Sequence, residues 1–234
     1  MTPTLSPAPP PAGTVTIPAP ADPSALEIPK PARAGRGEAR GRFEGRDARS
    51  WPSAEAADKP RGSVVVLPGR GETADLFEPL AFRLALDGYK VTYLGPGEDS
   101  TLALGECRVP GRLFALVGSD TGALRALTAA GSPALRAAAL VLLGLPLLYR
   151  PVGGEVPSEP PPRALPDLPI LLVHGSDDEV SPLPVVRMTT RTAPRSHLVT
   201  VPAGHQVLAE PSWRATAAHT IAFLEALATA DALA

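Results

Sequence analysis

Leu113-Phe114-Ala115-Leu116-Val117-Gly118-Ser119-Asp120-Thr121-Gly122 reads as a strand that runs into a turn with an aspartate at its centre. The five apolar residues carry neither charge nor alternation, as expected of a strand covered on both faces. Thr121 to Ala130 then reads as a helix. A turn of the form G-x-Nu-x-G between strand and helix meets a mechanical need. Its central residue sits in a strained conformation, and the residues two away on either side must be small. Gly118 and Gly122 satisfy that need around Asp120, with Ser119 preceding it. Taken alone, the stretch also fits a glycine-rich turn in which Asp120 and Thr121 cap the helix.

The pattern repeats on both sides of this stretch. Upstream, Ser63 to Pro68 is a β-branched run read as a buried strand. Glu72 to Asp87 carries Leu76, Leu80 and Leu84 at helical spacing until Gly88, and Tyr89 to Tyr93 is the next strand. Downstream, strands are expected at Ala138 to Leu143, Pro169 to Val173 and His197 to Val201. Helices are expected at Pro182 to Thr192 and Pro211 to Ala232. Arg42 to Arg46 has the composition of a short exposed edge strand. Strands alternating with helices predict a mostly parallel sheet covered by helices on both faces. In such sheets ligands bind at the carboxyl ends of strands, so the loops that follow strands should carry the chemistry.

Composition narrows what that chemistry can be. The chain has 234 residues, a hydrophobic fraction of 44% and a formal net charge of −2, which suits one domain with a full core. The division expected is a disordered Pro/Ala-rich tail over residues 1–35 and an α/β domain over residues 36–234. The tail favours extended conformations and has too little apolar surface to order itself. No basic stripe or aromatic platform points to nucleic acid. The apolar run Ala137 to Leu148 is too short to span a bilayer, and the N-terminus lacks a secretory pattern, so a cytoplasmic protein acting on a small molecule is expected. Cys107 is the only cysteine, and the histidines at 174, 197, 205 and 219 lack metal-site spacing. No phosphate-binding or dinucleotide fingerprint is present, and no cofactor or metal is expected. Oligomeric state is not legible.

Two further loops complete a constellation. His174-Gly175-Ser176-Asp177-Asp178-Glu179-Val180 follows one expected strand, and Pro202-Ala203-Gly204-His205-Gln206 follows the last. Each alone is compatible with a solvated turn. Together they give nucleophile, acid and histidine in chain order, each after a strand, which is the order of the α/β-hydrolase triad.

Leu67-Pro68-Gly69-Arg70-Gly71-Glu72, followed by a helix and Asp87-Gly88-Tyr89-Lys90-Val91, resembles the H-G-x-G-E region of lysophospholipase and monoglyceride-lipase-like α/β-hydrolases. His174 to Asp178 resembles their H-G-x-x-D acid loop, and Gly204-His205 their G-H loop. The resemblance runs from about Gly62 to the C-terminus and implies an α/β-hydrolase fold with a minimal lid. It places Asp120 at the nucleophile position, His205 at the base and Asp178 as the acid that orients His205. It also implies an oxyanion hole from the backbone N–H groups of Thr121 and of Arg70, the latter in the Gly69-Arg70-Gly71 turn. Gly71 would let the backbone approach a substrate, and the Arg70 side chain could reach an anionic one. His174 is read as structural.

Two departures from the serine-hydrolase pattern matter. Pro68 stands where relatives carry histidine, and Asp120 stands where they carry serine. A carboxylate is already ionised near neutral pH, with an ordinary pKa of about 4. It can attack a carbon bearing a halide or an epoxide oxygen, as in haloalkane dehalogenases and epoxide hydrolases. Those enzymes usually carry tryptophan where Thr121 stands, and a large helical cap where this chain has the proline-rich segment Leu147 to Leu168, with one tyrosine, Tyr149. Three readings therefore stay open: hydrolysis of a small ester-like substrate by an Asp120-His205-Asp178 site, alkyl-ester chemistry on Asp120, or a non-hydrolytic or binding role. Asp120 bonded to His205 would favour catalysis, and Asp120 paired with Arg70 across the oxyanion turn would favour binding.

Overall fold

Every residue of Gly62–Leu67 is buried, and the reason is the layer on each side of it. The computed structural model describes residues 48–51, 60–209 and 211–232. Their strands are β1 (Ala48–Trp51), β2 (Gly62–Leu67), β3 (Tyr89–Leu94), β4 (Leu113–Ser119), β5 (Ala139–Leu143), β6 (Ile170–Gly175) and β7 (Ser196–Val201). They form one seven-stranded sheet in the order β1-β3-β2-β4-β5-β6-β7. β1 pairs antiparallel with β3, and every other pairing is parallel.

Five helices cover the sheet: α1 (Ala74–Leu86), α2 (Thr101–Glu106), α3 (Thr121–Ala130), α4 (Leu183–Arg191) and α5 (Trp213–Ala232). Side chains alternate between faces along a strand, so β2 feeds two cores. Val64 and Val66 pack with Phe77, Leu80 and Leu84 of α1 and with Phe223 and Leu224 of α5. Val65 and Leu67 pack on the opposite face with Leu104 of α2, Ala123 and Leu124 of α3 and Val186 of α4. Continuous apolar runs are the sequence signature of strands buried in this way.

The expected strands and helices occur within a few residues of where hydrophobic pattern placed them, and α3 matches its expected span. The edge strand expected at Arg42 to Arg46, and the tail expected over residues 1–35, lie outside the described residues. The described edge strands are β1, which is antiparallel to its neighbour, and β7. α2 was not expected: it is six residues long, capped by Ser100, whose hydroxyl accepts from the Ala103 N–H. Leu147 to Leu168 carries only an isolated bridge between Val152 and Glu155, so the lid is minimal. Among the described residues, no helix is long and apolar enough to cross a membrane.

Candidate active site

β4, β6 and β7 end on the same edge of a parallel sheet, and the loops after them deliver three side chains to one place. At the end of β4 the chain turns sharply, with Asp120 at φ 46° and ψ −121°. A non-glycine residue in that region stores roughly 1–3 kcal/mol of strain, tolerated only where the surroundings over-determine it. The Asp120 N–H donates to the Leu143 carbonyl at 2.9 Å, and the Asp120 carbonyl accepts from Ala123 N–H at 2.9 Å. The flanking glycines let α3 start hard against β2: a Cβ at Gly122 would lie 2.1 Å from the Leu67 carbonyl oxygen.

Asp178 follows β6. Its Oδ1 accepts from the N–H groups of Val180 (2.8 Å) and Ser181 (3.0 Å), which fixes the carboxylate within its own loop. Its Oδ2 lies 2.9 Å from Nδ1 of His205, which follows β7. His205 Nε2 lies 3.0 Å from Oδ1 of Asp120. The three residues form the array Asp120–His205–Asp178, with the imidazole between two carboxylates. His174, expected to be structural, is buried with Nε2 2.7 Å from the Ser181 carbonyl, which braces the acid loop from beneath.

The turn after β2 supplies the fourth side of the site. Gly69 packs against Asp120 so closely that a Cβ there would lie 2.4 Å from the Asp120 Cβ. The Arg70 N–H donates to Asp120 Oδ2 at 3.0 Å, where the resemblance placed an oxyanion donor. The Arg70 side chain goes further. Nε donates to Oδ2 at 2.7 Å and Nη2 to Oδ1 at 2.5 Å, a bidentate pair whose side chains are 5% and 4% exposed. Nη1 donates to the carbonyls of Arg150 (2.9 Å) and Glu155 (2.7 Å) in the lid segment. Asp120 thus bonds to His205 and to Arg70 at once, where these were expected as alternatives. Thr121 is buried as the first residue of α3. Gly71 sits exposed at φ +68°, facing open space.

The turn motif contains one participant whose role the sequence does not reveal. Glu72 is buried, its Oε2 accepts from the Gly69 N–H at 2.6 Å, and its Oε1 accepts from the Ser119 hydroxyl at 2.8 Å. It ties the Gly69-Arg70-Gly71 turn to the elbow and holds the Ser119 hydroxyl away from the apex. The readable signal was a carboxylate three residues after a turn glycine, a spacing suited to a local carboxylate-to-backbone bond.

Charge follows from these contacts. Burial alone would raise the Asp120 carboxyl, but hydrogen bonds from Arg70 and His205 outweigh it and hold the group well below the usual carboxylate range. Burial would lower His205, yet its bonds to Asp120 and Asp178 push it up to about 9. Burial raises Glu72, opposed in part by the Gly69 and Ser119 bonds. At neutral pH, His205 is therefore an imidazolium flanked by two carboxylates.

A stability consequence follows. Between its ordinary pKa of about 6.5 and about 9, His205 binds a proton in the folded chain that the unfolded chain has lost, so rising pH favours unfolding. The stabilisation is complete below pH 6.5 and lost through pH 9, and it amounts to about 3 kcal/mol. Denaturant titrations at pH 6 and 9.5 should show that loss in the wild type and little of it in His205→Gln.

Among the described residues, no group of three or more His, Cys, Asp or Glu is placed to hold a metal ion. A cavity of about 290 Å³ lies away from the array, between Leu124, Leu127 and Thr128 of α3 and Pro160, Pro162 and Leu165, and is lined by no titratable side chain.

No protein-family model and no curated protein matches this sequence. Solved structures do. A soluble variant of monoglyceride lipase from Saccharomyces cerevisiae is 15% identical, with a TM-score of 0.61 over 77% of this chain and 91% of that one. Est1E from Butyrivibrio proteoclasticus is 15% identical, with a TM-score of 0.59 over 77% of this chain and 93% of that one. A deformylase from Pseudomonas putida is 16% identical, with a TM-score of 0.57 over 74% of this chain and 94% of that one.

Proposed function

We propose that this chain, which has the α/β-hydrolase fold, is a hydrolase that works through a covalent ester on Asp120. The observation that carries the reading is the ionised carboxylate at the elbow apex, with Arg70 N–H donating to one oxygen and His205 Nε2 held 3.0 Å from the other. An ionised carboxylate needs no base to attack. An Asp120 oxygen forms a bond to an electrophilic carbon, and the leaving group departs with the electron pair on the far side of that carbon, as halide or as an opened epoxide oxygen that takes a proton from solvent.

The second half-reaction uses the same contacts. Esterification removes the Asp120 negative charge, and with it a main cause of the raised His205 pKa. The imidazolium then releases its proton to solvent, and the neutral imidazole takes a proton from water, which attacks the Asp120 carbonyl carbon. Negative charge develops on the carbonyl oxygen of Asp120 itself, and the Arg70 N–H, which bonds an Asp120 oxygen at rest, is a backbone donor beside it. Collapse breaks the bond to the bridging ester oxygen, which leaves as the alcohol with the proton of the new Asp120 carboxyl, restoring the carboxylate beside the His205 imidazolium.

Direct hydrolysis of an ester with Asp120 as base for water draws less support. A carboxyl held below its usual range is a weak base, and His205 already carries its proton at neutral pH. A non-hydrolytic role draws on one observation, the Arg70 pair that closes the oxyanion turn. Tyr149, the lid tyrosine, is 58% exposed.

The test is a screen of epoxides, haloalkanes and p-nitrophenyl esters against wild type and His205→Ala. The variant should trap the ester, seen on the Asp120 peptide as a mass increase of one substrate for an epoxide, or of one substrate less the acid of its leaving group for the others. Turnover by wild type with no adduct on the variant for any turned-over substrate would remove the covalent route.

A further inference from the structure

We infer that the Arg70 guanidinium is a carboxylate-recognition group, and that Asp120 fills at rest the seat taken by a carboxylate on the substrate. The inference rests on the ester reading above and names its substrate class: small acids whose electrophilic carbon lies beside a carboxylate.

Three observations carry it. First, Nε and Nη2 of Arg70 present a parallel fork, and Asp120 already demonstrates that it accepts a carboxylate side-on at 2.7 and 2.5 Å. Arginine is suited to this because its donors are planar and fixed in spacing. Second, the fork is oriented without Asp120. Nη1 is held by the carbonyls of Arg150 and Glu155, so the guanidinium keeps its place when Asp120 turns toward a substrate carbon. Third, the pair is buried, so its charge must remain matched. When Asp120 becomes a neutral ester, its carboxylate is lost as a partner and the Arg70 cation is left buried. A substrate carboxylate restores that partner, and a neutral substrate does not. A site built around a buried charged donor rejects analogues lacking its partner strongly. Glu72 does not substitute, because both its oxygens are engaged by Gly69 and Ser119.

The experiment has a binding arm and a turnover arm, both on the full chain. In the binding arm, propionate and propionamide are titrated into wild type and Arg70→Gln, and the His205 imidazole resonances are followed. Saturable binding of propionate alone, lost in Arg70→Gln, is expected. No saturable propionate binding to wild type, or equal binding of the amide, overturns the inference whether or not any substrate is turned over. In the turnover arm, chloroacetate is compared with chloroacetamide and glycidate with glycidamide. A preference of about a hundredfold or more in kcat/KM for the acids is expected. Equal rates for acid and amide overturn the inference and leave the ester reading standing. Propionate binding without turnover of any of the four compounds supports the carboxylate seat and counts against the ester reading. If Arg70→Gln fails to fold, Arg70→Lys serves: it keeps the charge, loses the fork, and should lose most of the preference.

Discussion

Asp120→Asn is expected to abolish turnover, lower the His205 pKa and destabilise the fold in a single change. The amide is a poor nucleophile, and removing a covalent group from a unit of this kind costs about 10⁴-fold or more in kcat. Burial and two carboxylates set the His205 pKa near 9, and the Asp120 bond is foremost among the raising causes. Without it the imidazole should titrate well below 9, visible by proton NMR. The Arg70 guanidinium loses its carboxylate partner inside a buried site. Breaking such a pair by neutralising one member costs about 3 kcal/mol or more. A variant with wild-type activity and an unmoved His205 would remove Asp120 from the mechanism and from the charge balance.

Gly122→Ala should be the most damaging single methyl group in the elbow. Its Cβ would lie 2.1 Å from the carbonyl oxygen of Leu67 and 2.6 Å from that of Pro68. Both are backbone atoms of β2 and its following turn, so no rotamer relieves the contact. The start of α3 must move away from the sheet, taking Ala123, Leu124 and Ala126 out of their packing. Asp120 would lose the geometry that holds it at positive φ. A loss of about 4 kcal/mol or more is expected, enough to unfold a marginal domain. Gly105→Ala is the control: it lies within α2 with nothing within 4 Å, and should be neutral or gain about 0.5–1 kcal/mol. Equal stability of the two variants in urea melts would contradict this account of the elbow.

β2, β4 and β6 were readable in the sequence because a strand covered on both faces must be apolar throughout, and few other segments of that length are. The array was readable because chain order and strand ends constrain where Asp120, Asp178 and His205 can meet. α2 was not, since six residues, Thr101 to Glu106, are too few to show a helical period. The Arg70 pairing was not either. An arginine in a glycine turn can face solvent, a substrate or its own elbow, and only the position of the lid carbonyls at Arg150 and Glu155 selects the last. The role of Glu72 was hidden because a glutamate at a helix start is usually a surface residue that complements the helix dipole. Its burial depends on Gly69 and Ser119 lying side by side, which pairing of β2 with β4 determines.

The central claim is that Asp120 forms a bond to the substrate, and one measurement addresses it directly. Enzyme in excess over a turned-over epoxide or halo acid is allowed a single turnover in heavy-oxygen water, and the product alcohol is analysed by mass. The account predicts that the product of this first turnover carries an oxygen from Asp120, unlabelled, while solvent label appears in the Asp120 carboxylate. Solvent label in the first-turnover product, with Asp120 unlabelled, would contradict it and would make water the attacking group.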